Sequence, residues 1–213
     1  MRTEVARARV DRAVLFVAPV VFLAGLVAHP FVRNYMDTEV IATAISGAPG
    51  RWGMAHLIIA LGLGLVLLAA LAIRRQFQIA GEHRWSGIGL ALLILGGVLL
   101  GAVVGAEITL SAVVNSGSDV FAVLTEAETW TRPLFIGGIA LFALGWLSFA
   151  VAFYKVAMLG QTRSRLAIIA LIAIPVGTFI PQTTGSYVYG VAVLAVSWLV
   201  GLGVTTRSSA EIG

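Results

Sequence analysis

Residues 96–114 read GGVLLGAVVGAEITLSAVV. One carboxylate, Glu107, interrupts a run that otherwise suits a hydrocarbon interior. Upstream, residues 86–106 contain no Asp, Glu, Lys or Arg. About 18 consecutive apolar residues suffice for a helix to cross a bilayer core, so this stretch predicts a membrane-spanning helix. The same pattern recurs along the chain. Residues 13–32, 53–73, 134–154, 166–181 and 186–204 are also free of charged side chains. The run at 166–181 is the shortest and carries Pro175.

Composition agrees. Of the 213 residues, 59% are hydrophobic and 11% are charged, against roughly 25% charged in a soluble domain. The expected fold is an all-α integral membrane protein. It forms a single polytopic domain over residues 1–213, a six-helix transmembrane bundle with spans near 13–32, 53–73, 86–110, 133–156, 165–181 and 186–205. These spans and their connections leave no room for a soluble domain.

Under this layout Arg2, Arg7, Arg9, Arg12, Arg74, Arg75, Arg84, Lys155, Arg163, Arg165 and Arg207 share one side, and only Arg33, Arg51 and Arg132 lie on the other. The positive-inside rule then places both termini in the cytoplasm and the chain in the plasma (inner) membrane as a multi-pass protein. The pI near 10.1 does not indicate nucleic-acid binding, because the basic residues fall at helix ends rather than on one surface. The lipid bilayer is the expected partner. The absence of cysteine excludes disulfides and thiolate chemistry. The Arg-rich start followed by an apolar run resembles a signal peptide. However, the run exceeds the usual 7–15 residues and lacks a small-x-small cleavage pattern, so a retained first helix is expected.

Two outer segments predict short interfacial helices. In MDTEVIATAISGAPGRW, Asp37 or Thr38 is placed to cap a helix with Val40, Ile41, Ala44 and Ile45 on one face. In SGSDVFAVLTEAETWTRP, a second such helix precedes a span that starts at Pro133, where a missing N–H costs nothing. Trp52, Trp130, Tyr187 and Tyr189 are read as interfacial aromatics.

On the third span, Gly97, Gly101 and Gly105 form a GxxxGxxxG seam, which allows close helix approach inside the bundle or in a homo- or hetero-oligomer. Glu107 lies off that seam, roughly 200° around the helix from Gly105. At 1.5 Å per residue it is about 31 Å beyond Ser86, near the outer edge of a core about 30 Å thick. His29 is about 24 Å up the first span, and His56 is about 6 Å below the outer surface on the second. Three titratable groups thus share one layer, with Arg33, Arg51 and Gln182 as supporting candidates.

Two imidazoles and a carboxylate suit a metal ion, a haem iron held by the two histidines, or a proton relay. Equally, the histidines can simply hydrogen-bond at helix ends while Glu107 pairs with Arg51 or Arg132. The functional readings are a small outer-facing site for a metal, proton or small ligand, a haem- or metal-dependent redox enzyme, and a non-catalytic component that packs with a partner protein. No HxxH or HExxH spacing selects among them, and no cofactor is specified. No charged residue falls at mid-span, which argues against a carrier with a central charged site.

Overall fold

The computed structural model describes residues 2–178, 180 and 182–210, with side chains for 6–177, 180 and 182–203. The side chains of Arg2, Arg207 and Thr178 lie outside the described residues, as do Phe179 and Pro181 within the expected fifth span. Among the described residues the chain is entirely helical. The elements are α1 (Arg2–Ala28), α2 (Thr38–Gly47), α3 (Pro49–Ile79), α4 (Arg84–Asn115), α5 (Val120–Val156), α6 (Gln161–Thr178) and α7 (Thr183–Ala210). Five of these, α1, α3, α4, α5 and α7, are long and apolar enough to cross a membrane. The 18-residue α6 carries Pro175 and does not meet that standard. Large apolar side chains such as Leu57, Leu61, Leu68, Ile94, Val98 and Ile169 are exposed around the outside. A soluble monomer rarely shows so much contiguous apolar surface, and the architecture fits a multi-pass membrane protein.

The long helices form a closed ring. Each of α1, α3, α4, α5, α6 and α7 packs against the next in that order, and α7 returns to α1. Short turns enforce antiparallel neighbours. At the α5–α6 turn, Gly160 sits at φ +78°, where a side chain would be strained. One end of the ring is filled by aromatics: Phe77 meets Phe153 edge-on at 4.7 Å and Phe149 at 5.7 Å between centroids. Each ring is fully buried.

Glycines set the closest crossings, but not along the expected seam. Cβ atoms added at Gly89 and Gly96 would fall 2.9 Å from the Gly145 oxygen and 2.8 Å from the Gly138 oxygen. This is where α4 meets α5. Gly97 faces Leu67 of α3, whereas Gly101 and Gly105 have nothing within 4 Å. The reason is rotational. A seven-residue step, as from Gly89 to Gly96 and Gly138 to Gly145, keeps a face aligned to about 20°, while successive four-residue steps turn away.

The first of the two expected short helices is α2, capped by Asp37, whose carboxylate accepts from the N–H groups of Glu39 and Val40 at 3.1 and 3.2 Å. The second does not exist as a separate element. Asp119 caps the start of α5, and that helix runs unbroken through Pro133 for 37 residues, about 55 Å. Pro133 is therefore inside a helix rather than at its start. The N-terminal third of α5 packs against α2. Tyr189 and Trp52, expected as interfacial anchors, are instead buried.

At the opposite end of the bundle, Glu82 begins α4. Its carboxylate accepts from the N–H groups of Trp85 at 2.7 Å and Ser86 at 2.9 Å. Burial opposes ionisation of this group, but these hydrogen bonds outweigh it and hold its carboxyl below the ordinary value of 4.5. The folded state therefore gains stability from Glu82 above that ordinary value, and the gain is lost as pH falls through the lowered folded value. Glu82→Ala should cost about 1 kcal/mol at neutral pH. Thermal unfolding in detergent at pH 7 and again in acid checks this: the difference between wild type and variant should shrink in acid.

Candidate functional site

At the end of the ring away from the Phe77 cluster, the bundle is hollow. A cavity of about 450 Å³ opens there, with Phe22, Leu63, Leu100, Ile139, Phe142 and Tyr189 among its deeper walls. Its head is polar and includes His29, His56, Glu107, Tyr35, Glu128 and Arg132. The volume lies within the roughly 300–1,000 Å³ range of small-molecule sites.

His56 lies one turn after Trp52 on α3, and its Nδ1 is 2.9 Å from the Trp52 carbonyl oxygen. A carbonyl only accepts, so Nδ1 carries a hydrogen. The other nitrogen, Nε2, lies 2.5 Å from Oε2 of Glu107. A contact this short between nitrogen and a carboxyl oxygen holds one proton. The pair is therefore either imidazolium with carboxylate or imidazole with carboxylic acid. The His56 side chain is 4% exposed and that of Glu107 29%, so the proton sits between a buried ring and a partly exposed carboxyl group. Trp52 fixes the arrangement: its indole N–H donates to the Glu107 backbone carbonyl at 3.2 Å, tying α3 to α4.

His29 follows the last residue of α1. Its Nδ1 is 2.7 Å from the Pro30 carbonyl oxygen, so Nδ1 carries hydrogen, and in the neutral ring Nε2 keeps the lone pair. Its ring lies 4.8 Å from His56, edge to face, and 4.6 Å from Trp52, centroid to centroid. The structure thus gathers His29, His56 and Glu107 in one place. Arg51 touches this group through backbone only: its Nε donates to the Ala28 carbonyl at 2.7 Å and Nη2 to the His29 carbonyl at 3.5 Å. Arg33 and Gln182 are exposed and do not line the cavity. Nor does Glu107 pair with Arg51 or Arg132. Arg132 instead forms an ion pair with Glu128, one turn earlier on α5, and donates to the Met36 carbonyl.

Several site residues carried no sequence signal. Thr183, at the start of α7, is fully buried. Its hydroxyl accepts from the Val32 N–H at 2.8 Å, donates to the Val32 carbonyl at 3.2 Å and meets the Tyr35 hydroxyl at 3.2 Å. One side chain thereby pins the 29–35 loop over the cavity. Burial pushes the Tyr35 hydroxyl above its ordinary value, so it remains protonated and available to hydrogen-bond. Thr38 donates to Glu128 at 3.1 Å, closing the roof between α2 and α5. Thr183→Val would strand the Val32 N–H, at a cost of about 1–3 kcal/mol. Faster amide exchange across residues 29–36, with the rest of the bundle unchanged, is the expected readout.

The geometry bears on the metal and haem chemistries. Among the described residues, no group of three or more His, Asp or Glu side chains is arranged to hold a metal ion. Both Nδ1 atoms are committed to carbonyls. The two imidazole rings stand edge to face at 4.8 Å. No protein-family model matches the chain, and neither does any curated protein or solved structure.

Proposed function

We propose that this chain is a six-span plasma (inner) membrane protein, with α6 as its sixth crossing and both termini cytoplasmic. In this reading its outer-facing cavity binds a small ligand, and His56 and Glu107 hold a proton at the ligand's polar end. The membrane orientation rests on the asymmetry of basic residues. The sixth crossing is supported by the place of α6 in the ring, between α5 and α7. The observation that carries the binding reading is the 2.5 Å contact between His56 and Glu107 at the polar head of a cavity whose deeper walls are apolar. Ionisable groups at membrane depth mark functional sites by default, and a pocket with a few convergent polar groups is the usual form of a ligand site. His29, with its Nε2 lone pair, is a second acceptor for the ligand.

Native mass spectrometry of protein extracted in mild detergent tests this. Wild type should retain a small-molecule adduct, and Glu107→Gln should lose it while keeping the same unfolding temperature to within a few degrees. A ligand-free wild type, indistinguishable from the variant in every membrane extract tried, would overturn the reading.

A further inference from the structure

The walls of the cavity are not equally complete. Gly96 approaches Phe142, and Gly138 approaches Leu100. These contacts set Glu107, seven residues beyond Leu100 on α4, level with about Thr131 on α5. On its other side α5 meets α6 across the turn at Ala157–Gly160. The 18 residues of α6 rise about 27 Å, which brings Thr178 level with only about Ile139. Between Thr131 and Ile139, roughly 12 Å of α5 has α4 on one side and, among the described residues, no further turn of α6 on the other. The helix beyond the gap is α7, which meets α5 deeper in the bundle, where the Phe142 and Tyr189 rings lie 6.3 Å apart. The rim there is apolar: Phe135 and Ile139 on one side, Ile180 on the other, all three also lining the cavity. The roof above is polar and tied shut by Thr38, Glu128 and Arg132.

From this we infer that the cavity's ligand is a single-chain amphiphile with an uncharged hydrogen-bonding head, which enters sideways from the outer leaflet through the gap between α5 and α7. This inference rests on the ligand-binding reading of the His56–Glu107 site and gives that ligand a class and a route. The side entrance is bounded by apolar side chains, which suit a hydrocarbon chain and not a hydrated solute. Among the described residues, the head region has no free cation for a phosphate. Arg132 is paired with Glu128, Arg51 is spent on backbone carbonyls, and His56 and Glu107 balance each other. What it offers is a lone pair on His29, the hydroxyl of Tyr35 and a shared proton, and these match a hydroxyl or carbonyl. A cavity of about 450 Å³ accepts one chain and not the two chains of a phospholipid.

Photolabelling in phosphatidylcholine nanodiscs tests the inference with two probes, a hexadecanol bearing a mid-chain diazirine and a water-soluble butanol bearing the same group. The expected result is hexadecanol label on α4 residues 100–104 and α5 residues 135–142. Most of it should be lost when unlabelled hexadecanol is added, and Glu107→Gln should lose it as well. Hexadecanol label confined to outward residues such as Leu57, Leu95 or Leu144, with no competition, would overturn the inference. Cavity label from butanol alone would also overturn it while leaving the site reading intact. If neither probe labels the cavity, the site reading falls together with the inference.

Discussion

Gly96→Leu is expected to prevent the bundle from closing. A Cβ at this position would sit 2.7 Å from the Phe142 nitrogen and 2.8 Å from the Gly138 oxygen. Both are backbone atoms of α5, so no rotamer change relieves the clash and the two helices must separate. Overpacking a core typically costs about 1–3 kcal/mol. A clash between backbones at so tight a crossing belongs at or above the top of that range. Gly62→Leu should behave alike, since a Cβ there would lie 2.5 Å from Cα of Phe22 on α1. The control is Gly101→Leu or Gly105→Leu. With nothing within 4 Å of either glycine, these should shift stability by no more than about 0.5 kcal/mol. Unfolding temperature in detergent, read beside the yield of monodisperse protein, separates the two groups. An oligomer lost in the Gly101 or Gly105 variant at an unchanged unfolding temperature would report an intermolecular contact rather than the fold.

The same glycines mark how far the sequence reaches. Hydropathy makes the helices legible because a bilayer core demands a minimum apolar length whatever the neighbours are. It does not say which face of α4 turns toward α5. Four-residue glycine spacing is a conspicuous pattern, yet the contact is made by Gly89 and Gly96, whose seven-residue spacing passes unnoticed among other small residues. The continuity of α5 was hidden for a related reason. Pro133 reads as a helix start because nothing local records that α2 packs against residues upstream of it and keeps that segment helical. The layer holding His29, His56 and Glu107 is legible because rise per residue is constant. Their contact is not, because it depends on rotation and on Trp52, whose bond to the Glu107 carbonyl sets α3 against α4. Thr183 lay beyond reach altogether: its partners, Val32 and Tyr35, are about 150 residues away in the chain.

The second large effect concerns His56 and Glu107, and the two substitutions should not be equivalent. Glu107→Gln keeps the side chain's size and can turn its amide N–H toward Nε2 of His56. The contact survives as a neutral hydrogen bond, and the cost to stability should be about 1 kcal/mol. His56→Ala removes a ring in contact with both Trp52 and His29 and leaves the carboxylate without its partner. Truncating a buried aromatic costs about 3–5 kcal/mol. An unpaired, fully buried charge costs a similar amount, but Glu107 is partly exposed, so water screens its share of the loss. A total near 3 kcal/mol is expected, with a coupling of about 1–2 kcal/mol in the double-mutant cycle. Infrared difference spectra divide structure from chemistry. The shared proton should give a carboxyl or carboxylate band that disappears in Glu107→Gln, although that variant stays folded. If both variants lose only stability, with no coupling and no missing band, then His56 and Glu107 are packing residues and the cavity has no proton at its head.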